Sequence, residues 1–411
     1  MNTRSPLVRS AALAVVLCLA LAATSCGDSP SGESQGDVPV FDSSVLHEIS
    51  VEFDEDEYLA LVDTYVESGS KVWIEATVTI DGVIHQGAGM RLKGNSSLFG
   101  LDGGGRGEAD PEVPQELPWL IRLDEFVADR NHQGVREFVV RSNITETSLN
   151  EAVAVELLEL AGLASQDAIA VAFSVNGSTA SLRLVLEHPD DVWLEEAFSS
   201  PGALYKAQYT GDYSYRGDDP AAYDDVFDQK AGDGHADLTP LIEFLDFINN
   251  ADDPTFYGEL DERLDTEAFA TYLAMQELIG NFDDIDGPGN NSYLHYDVES
   301  EIFTVVAWDH NYAYFTGGGG GFGGQGGFGR FGAESNILVD RFLADPTYEQ
   351  AYEARLDELE QSLYLTGVAN EILATWVGLL EVEASHLVTG TIVAEEANDI
   401  ASFFVLDEDG G

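Results

Sequence analysis

Cysteine is nearly missing from this sequence. Only Cys18 and Cys26 occur among 411 residues, and Cys18 lies in an N-terminal segment that we expect to be removed. A mature chain with one cysteine cannot form an internal disulfide, even in an oxidising compartment. We therefore expect packing to stabilise the fold, and 44% hydrophobic residues are enough for a large core.

Basic residues are scarce too. The sequence has 18 lysines and arginines against 75 aspartates and glutamates, a formal net charge of -57. Nucleic-acid binding needs clustered cations, so this composition excludes a general affinity for nucleic acid. The acidity is compatible with calcium sites, a saline habitat or a basic protein partner, and a solvated surface is the simplest interpretation. Each remaining cation is informative, because a cation among so many carboxylates is expected to have a specific task.

Long apolar runs are missing except near the N-terminus. Two arginines precede an apolar run at 11–23, and small residues stand directly before Cys26. The run is shorter than the roughly 20 residues of a membrane span, and the pattern is typical of a lipoprotein signal peptide. An ordinary secretory signal with an incidental cysteine is the alternative. We predict a signal peptide at 1–26, acylation of Cys26, a flexible tether at 27–39, and an extracytoplasmic protein anchored to a membrane.

The hydrophobic pattern predicts an α+β fold with two lobes. Residues 40–190 form a sheet-rich first lobe, 191–400 a mostly helical second lobe, and 401–411 an acidic tail. The first lobe is predicted to have a helix at Glu52–Ser68 and strands at Trp119–Ile121 and Glu137–Arg141. Hairpins are predicted at Asp81-Gly82 and Asn176-Gly177. A second helix is predicted to begin with a Ser148/Glu151 capping box and to end at Gly162. The second is predicted to have helices from Thr239, at Thr266–Leu278 and twice within 349–388, and strands at Ser292–Tyr296 and Ile302–Trp308.

A glycine-rich segment, GGGGGFGGQGGFG, occupies residues 317–329. Backbone amides of glycine can cradle phosphate, but this run has no P-loop lysine and no strand-to-helix frame. We therefore predict a flexible loop without chemistry.

Oxygen-bearing side chains gather in the turn 281–291, NFDDIDGPGNN, and Asp309 ends the next strand. Neighbouring strands joined by a tight turn bring Asn291 and Asp309 together, and such hard oxygen ligands suit magnesium or calcium. The alternative is turn chemistry, since these residue types also occur commonly in loops.

An EF-hand is excluded, because alignment on its central Asp-Gly puts aromatic residues at the first and last ligand positions. No HExxH zinc motif occurs, and carboxylates are too common here for spacing to exclude a glycosidase.

Eight short segments, in this order, resemble the CotH kinase family of spore-coat-type atypical protein kinases, which also occur as secreted bacterial proteins. The resemblance runs from about Val51 to Phe315. Its segments are GAGMRLKGNSS at 87–97, PWLIRLDEF at 118–126, SLNEAVAVELLELAG at 148–162, VNGSTASLRLVLEHPD at 175–190, GALYKA at 202–207, NFDD at 281–284, NNSYLHYD at 290–297 and WDHN at 308–311. Within the fourth, residues 181–183 depart from the GxY pattern of the family.

The resemblance implies an atypical protein-kinase-like fold that transfers phosphate from ATP with Mg²⁺ or Mn²⁺. The implied roles are Asp283 as catalytic base, Asn291 and Asp309 as metal ligands, Arg91, Lys93 and Lys206 as phosphate contacts, Glu151 as the partner of Lys93, and Glu187 beside the nucleotide base.

The leading interpretation is a surface-associated kinase that acts on Ser or Thr of an exported protein. A basic, Ser-rich substrate would suit so acidic a surface. The competing interpretation is a binding module, an adhesin or coat-type scaffold that keeps the fold without turnover. Metal-dependent ATP binding distinguishes the two.

Overall fold

The computed structural model describes residues 38–101, 109–208, 211–232, 237–287, 290–315 and 336–405. The predicted signal peptide with Cys26, the glycine-rich segment 317–329, residues 27–37 of the tether and residues 406–411 of the acidic tail lie outside these residues. The predictions made for those segments stay predictions.

Seven strands from the first half of the chain form a closed barrel. They are β1 His47–Phe53, β2 Ile74–Ile80, β3 Val83–Leu92, β4 Trp119–Arg122, β5 Glu137–Val140, β6 Ala168–Val175 and β7 Ser181–Glu187. Their order around the barrel is β1-β2-β3-β4-β5-β7-β6. The pairings are antiparallel except that of β1 with β6, which closes the barrel in parallel. Closure leaves no unpaired strand edge.

Parts of the barrel wall are buried on both faces. In β4, Trp119 and Ile121 belong to the core inside the barrel, whereas Leu120 packs in a second core that includes helix α2, Leu149–Leu160. Strand side chains alternate between the two faces, so a wall covered on both sides requires an uninterrupted apolar run. The apolar run at 119–121 therefore reflects double burial and not a strand with one wet face.

Two turns predicted from Asp-Gly and Asn-Gly are confirmed. Asp81 and Gly82, which link β2 directly to β3, have φ values of 47° and 82°. Positive φ at both central residues is the tight-hairpin geometry that Asp-Gly favours. Asn176 and Gly177 have φ values of 48° and 74° and open a longer connection from β6 to β7.

Helix α1 spans Glu55–Ser68, three residues shorter at its start than predicted. The Asp54 carboxylate caps it by accepting hydrogen bonds from the N–H groups of Asp56 and Glu57, and the segment before Asp54 belongs to β1. Gly69, with φ of 72°, ends the helix.

The capping box predicted for α2 is wrong, although the helix is present. Ser148 has φ of 54° and its side chain makes no capping bond. The Thr147 hydroxyl instead accepts the Leu149 N–H at 3.1 Å. Glu151 is not available for a capping box, because its carboxylate binds Arg141.

The second half contains a four-stranded antiparallel sheet as well as helices. Its strands are β8 Gly202–Ala207, β9 Phe227–Ala231, β10 Ser292–Asp297 and β11 Phe303–Ala307, in the order β11-β10-β8-β9. The helices are α3 Asp191–Ala197, α4 Thr239–Asn250, α5 Asp253–Glu259, α6 Thr266–Leu278, α7 Ile337–Ala344, α8 Pro346–Leu359, α9 Val368–Val382 and α10 Gly390–Ser402. The predicted β10, β11, α4 and α6 are confirmed, whereas β8 and β9 were not predicted.

With 40% helix and 22% strand, the chain is α+β as predicted, and the sheet predicted for its first part is a closed seven-stranded barrel. Residues 36–411 form one compact unit, and the lobe boundary expected near residue 190 stays a prediction.

Among the described residues, no single helix is long and apolar enough to cross a membrane. The bent pair Pro346–Leu365 and Val368–Val382 has the necessary length and composition only when its two helices are taken together.

Candidate active site

One end of the four-stranded sheet gathers three of the predicted site residues. Lys206 pairs with Tyr293 across β8 and β10, and β10 pairs with β11 in antiparallel register. Asn291 directly precedes β10 and Asp309 follows β11, so both lie at this end of the sheet. The structure thus places Asn291 and Asp309 at neighbouring strand ends, as expected; their role as metal ligands stays a prediction.

Asp283 lies in the turn that leads from α6 to β10. Asn291 Nδ2 donates a hydrogen bond of 3.0 Å to Asp283 Oδ2, and the Asn291 N–H donates one of 3.0 Å to the Asp284 carbonyl. These bonds fold the turn back on itself and hold Asp283 beside Asn291. Because Asn291 donates through its amide nitrogen, its Oδ1 remains an acceptor or cation ligand.

Lys93 reaches this site from the barrel. The residues on either side of Arg91 in β3 point into the barrel core, so alternation turns Arg91 and Lys93 outward. The Lys93 ammonium lies 5.3 Å from the centre of the Trp308 ring, next to Asp309 in the chain. The Arg91 guanidinium lies 4.9 Å from the centre of the Trp73 ring. The structure therefore directs Lys93, and not Arg91, at the sheet end that carries Asp309.

Six cations form an electrostatically linked set that reaches this sheet end through Lys93, Arg141 and Lys206, and we call this set the cation cluster. They are Lys71, Arg91, Lys93, Arg141, Lys206 and Lys230. Burial is the largest cause that lowers the pKa of the three lysines at positions 71, 93 and 206, and repulsion from other members of the cluster adds to each shift. Since the whole chain has 18 lysines and arginines, a third of its cations are concentrated here. Such a focus of positive charge favours an anionic ligand.

Arg141 joins Glu151 to Asp309. Its Nε donates to Glu151 Oε2 at 2.9 Å, and its Nη2 donates to Asp309 Oδ1. Burial raises the pKa of Glu151 in spite of Arg141. Burial also opposes the ionised form of Asp309, but the charge and hydrogen bond of Arg141, together with the charge of Lys206, lower its pKa. From the sequence, Arg141 was predicted only to end a strand. Because cations are scarce in this chain, each of them is a candidate for a specific role, and this criterion would have included Arg141.

The expected ion pair between Lys93 and Glu151 is absent among the described residues. Arg141 takes the Glu151 carboxylate, and the carboxylate whose charge acts most on Lys93 is Glu137. Glu137 is the first residue of β5, its side chain lies on the outer face of the barrel, as that of Lys93 does, and it pairs with His188. Burial opposes the ionised form of Glu137, but its partners lower its pKa to about 2. Glu137 is therefore an anion close to Lys93 that sequence reasoning missed.

Lys206 lies beside the metal-ligand candidates. Its Nζ donates to the carbonyls of Asn290 at 3.1 Å and Ser292 at 3.4 Å. Burial lowers its pKa to about 8, although the charges of Asp309 and Asp283 oppose this shift. Lys206 is thus a partly buried cation whose ammonium points toward the turn that holds Asp283.

Glu187 occupies a different environment. It ends β7, and its N–H donates to the Asp167 carbonyl at 2.9 Å. Burial, followed by the charge of Asp167, raises its pKa to about 8. The charges that act on it are carboxylates and not members of the cation cluster. The structure therefore does not bring Glu187 together with the phosphate contacts, and its place beside a nucleotide base stays a prediction.

Asp284, next to the predicted base, was missed from the sequence. Burial raises its pKa to about 7, and the charges of Asp286 and Asp283 add to the shift. A carboxyl with this pKa exchanges its proton near neutral pH, which suits proton transfer. The only sequence signal was the Asp283-Asp284 dipeptide, which also suits a turn.

The side chains present are compatible with a divalent metal that is bound together with phosphates. Among the described residues, no group of three or more His, Cys, Asp or Glu side chains could hold a metal. Mg²⁺, however, usually takes one or two carboxylates and completes its coordination with phosphates and water. Asn291 Oδ1 and the Asp309 carboxylate provide hard oxygens next to the cation cluster. They fit such a shared site, and not a cage built from protein ligands alone.

The fold and site define an α+β protein in which a cation-rich region lies next to oxygen ligands suited to a divalent metal. A model of the CotH kinase protein family matches residues 93–385, more than half of the chain, and the chain belongs to this family. The match starts at Lys93, later than the expected start near Val51, and continues beyond Phe315. Membership supports a kinase-type function with ATP and a divalent metal in general terms. No curated protein matches the chain.

Proposed function

We propose that the protein is a two-lobed, CotH-like kinase that transfers the γ-phosphate of ATP to Ser or Thr of an exported or surface protein, with Mg²⁺ or Mn²⁺. The observation that carries this proposal is the cation cluster at the sheet end of Asp309, in a chain with a net charge of -57. Holding partly buried lysines together costs free energy unless an anion compensates their charge. A polyphosphate supplies that compensation.

Each residue then has a role that follows from its chemistry. Bound ATP supplies the phosphoryl group. Lys93 and Lys206 bind phosphate oxygens as point charges. Asn291 and Asp309 hold the metal through oxygen. Asp283, kept beside Asn291 by the 3.0 Å hydrogen bond, orients the acceptor hydroxyl and accepts its proton.

The proposed setting is the outside of the cytoplasmic membrane. After removal of the signal peptide, the acylated Cys26 would anchor the protein, and the tether would give the kinase reach. A strongly negative surface attracts cationic partners through long-range electrostatics. A basic, Ser-rich exported protein is therefore the proposed substrate.

A binding module without turnover is the second candidate. It is favoured by one observation, the pairing of Glu151 with Arg141 where a kinase uses the carboxylate to position its lysine. In that case the cation cluster would bind a phosphate-bearing ligand without transferring phosphate.

The test is phosphate transfer from labelled ATP by wild type and by Asp283→Asn, with Mg²⁺ or Mn²⁺ and a basic Ser-rich peptide. The substitution keeps the shape of the side chain but removes its basicity, so we expect transfer to fall by about 10²- to 10⁴-fold while ATP still binds. The exposed Asp261→Asn is the charge-matched control. Wild-type rates in Asp283→Asn would exclude Asp283 as the base. No transfer by wild type, across metals and peptides, would favour the binding module.

A further inference from the structure

Helix α10 lies beyond the part of the chain that the family model matches. The match ends at residue 385, and α10 begins at Gly390. Val393 and Ile400 are buried in the same core as α2. The helix is therefore an integrated part of this protein whose role the family match does not describe.

Glu396 connects α10 to the start of α2. Its carboxylate accepts the Glu146 N–H at 2.8 Å and the Thr147 N–H at 3.2 Å, and it also accepts the Thr147 hydroxyl. These bonds hold the segment directly before α2, where Ser148 provides no cap. A carboxylate at this end also suits the positive end of the helix dipole. The Glu396 carboxylate thus fixes the two residues that lead into α2, and the Thr147 hydroxyl accepts the Leu149 N–H at the start of the helix.

The first turn of α2 in turn holds the segment that follows Asp309. Asn150 Nδ2 donates to the Asn311 carbonyl at 2.6 Å and to the Ala313 carbonyl at 3.3 Å. The next residue, Glu151, is joined to Asp309 through Arg141. Moving the start of α2 would therefore move the Asp309 segment as well.

The C-terminal end of α10 contacts the same segment directly. The rings of Phe403 and Phe404 meet the Tyr314 ring edge-on, with centroid distances of 5.4 Å and 5.7 Å. The Tyr314 N–H donates to the Ile279 carbonyl at 2.7 Å, at the end of α6. Beyond that point the chain enters the turn with Asp283. Helix α10 is thus linked, through Glu396 in its middle and through the residues at its C-terminal end, to elements that carry site residues.

We propose that α10 is a positioning element of the candidate active site, and that Glu396 is its positioning residue. Glu396 holds the start of α2, and α2 holds the Asp309 segment through Asn150 and through the Arg141 bridge. The catalytic consequence rests on the proposed function, whereas the mechanical linkage does not.

The test compares Glu396→Ala with Glu395→Ala and Glu396→Gln. Glu395 is exposed on the same helix turn, so its substitution removes the same charge without touching α2. Amide hydrogen exchange reports the linkage. We expect faster exchange at 146–152 and 311–314 in Glu396→Ala alone, with partial recovery in Glu396→Gln, which keeps one acceptor oxygen. Equal exchange at these amides in Glu396→Ala and Glu395→Ala would overturn the proposal.

Phosphate transfer separates positioning from mere stabilisation. At a temperature where near-ultraviolet circular dichroism shows all variants folded, we expect kcat of Glu396→Ala to fall by about 10- to 100-fold, because small displacements of reacting groups are costly. Glu396→Gln should recover part of this loss. Faster exchange with unchanged kcat would reduce Glu396 to a stabilising contact and overturn the positioning role. No transfer by wild type would defeat the proposed function instead, and the exchange pattern alone would then decide the linkage.

Discussion

Replacing Arg141 by methionine should destabilise the protein strongly, and more so at higher pH. Methionine keeps most of the apolar stem but removes the charge that Glu151 and Asp309 share. The side chain of Glu151 is 2% exposed and that of Asp309 is 25% exposed. Asp309 can recover hydration from solvent, whereas Glu151 cannot. The cost therefore comes mainly from Glu151.

The size of the effect follows from what Glu151 can do without Arg141. Removing one partner of a buried ion pair costs about 3–5 kcal/mol. Glu151 can lose its charge by taking up a proton. At pH 7.5, which is about 3.2 units above its unfolded pKa, this protonation costs about 4.4 kcal/mol, and that value is an upper limit for the cost of the unpaired charge. Burial already raises the pKa of Glu151 in the wild type, so part of this cost is present before the substitution. We expect a loss of about 2–4 kcal/mol at pH 7.5.

The sign of the pH dependence is fixed by the direction of the pKa. A carboxyl whose folded pKa is raised opposes folding increasingly as pH rises above its unfolded value of about 4.3. At pH 5.0 the same arithmetic gives a loss of no more than about 1 kcal/mol. The neighbouring groups Asp309 and His310 face the same site, and the charge of Asp309 raises the pKa of Glu151 further.

Urea unfolding at constant ionic strength measures this prediction, as the difference between variant and wild type at each pH. The double variant Arg141→Met/Glu151→Gln should be more stable than the single variant at pH 7.5, and its loss should not vary with pH. Arg355→Met is the surface control, because its partner Glu358 is 66% exposed and such pairs contribute under about 1 kcal/mol. An equal loss at pH 5.0 and 7.5 in Arg141→Met would refute the reasoning.

Sequence reasoning succeeded where a few neighbouring residues decide the backbone. Asp81-Gly82 adopts the positive φ values that its side chains permit, and α6 has the predicted bounds Thr266–Leu278. Turn residues and helix periodicity act within a few positions, so one sequence contains the whole signal.

It failed where distant residues decide the structure. The barrel closes through the parallel pairing of β1 with β6, whose partners Ile49 and Phe173 are far apart in the chain. No local pattern specifies that pairing, because either strand could pair elsewhere with the same alternation. The β8 segment was recognised only as a family motif, since a short apolar run has no period of its own.

The candidate site shows the same division. The strand ends of Asn291 and Asp309 followed from a local hairpin, and the structure places them together. The spacing of residues could not identify the partner of Glu151. Lys93 directly follows β3 and Arg141 directly follows β5, and both side chains point outward from the barrel. Only the packing of α2 against the barrel decides which cation reaches the carboxylate.

Three further predictions concern the metal, the anchor and one lysine. Asp309→Ala should abolish the Mg²⁺ dependence of ATP binding in calorimetry, and unchanged affinity would remove Asp309 from the site. Cys26→Ala should release the protein from membranes, and its retention after a salt wash would contradict acylation. The last prediction uses Lys206, whose pKa burial lowers to about 8. Lysine binds phosphate as a cation, so ATP affinity of the wild type should fall by about tenfold as the pH rises from about 7 to 9, equivalent to one charged hydrogen bond. Lys206→Met should bind more weakly at pH 7 and show no such fall, because the titrating charge is gone. If affinity in both proteins declined in parallel, Lys206 would not be the cation that contacts the phosphates.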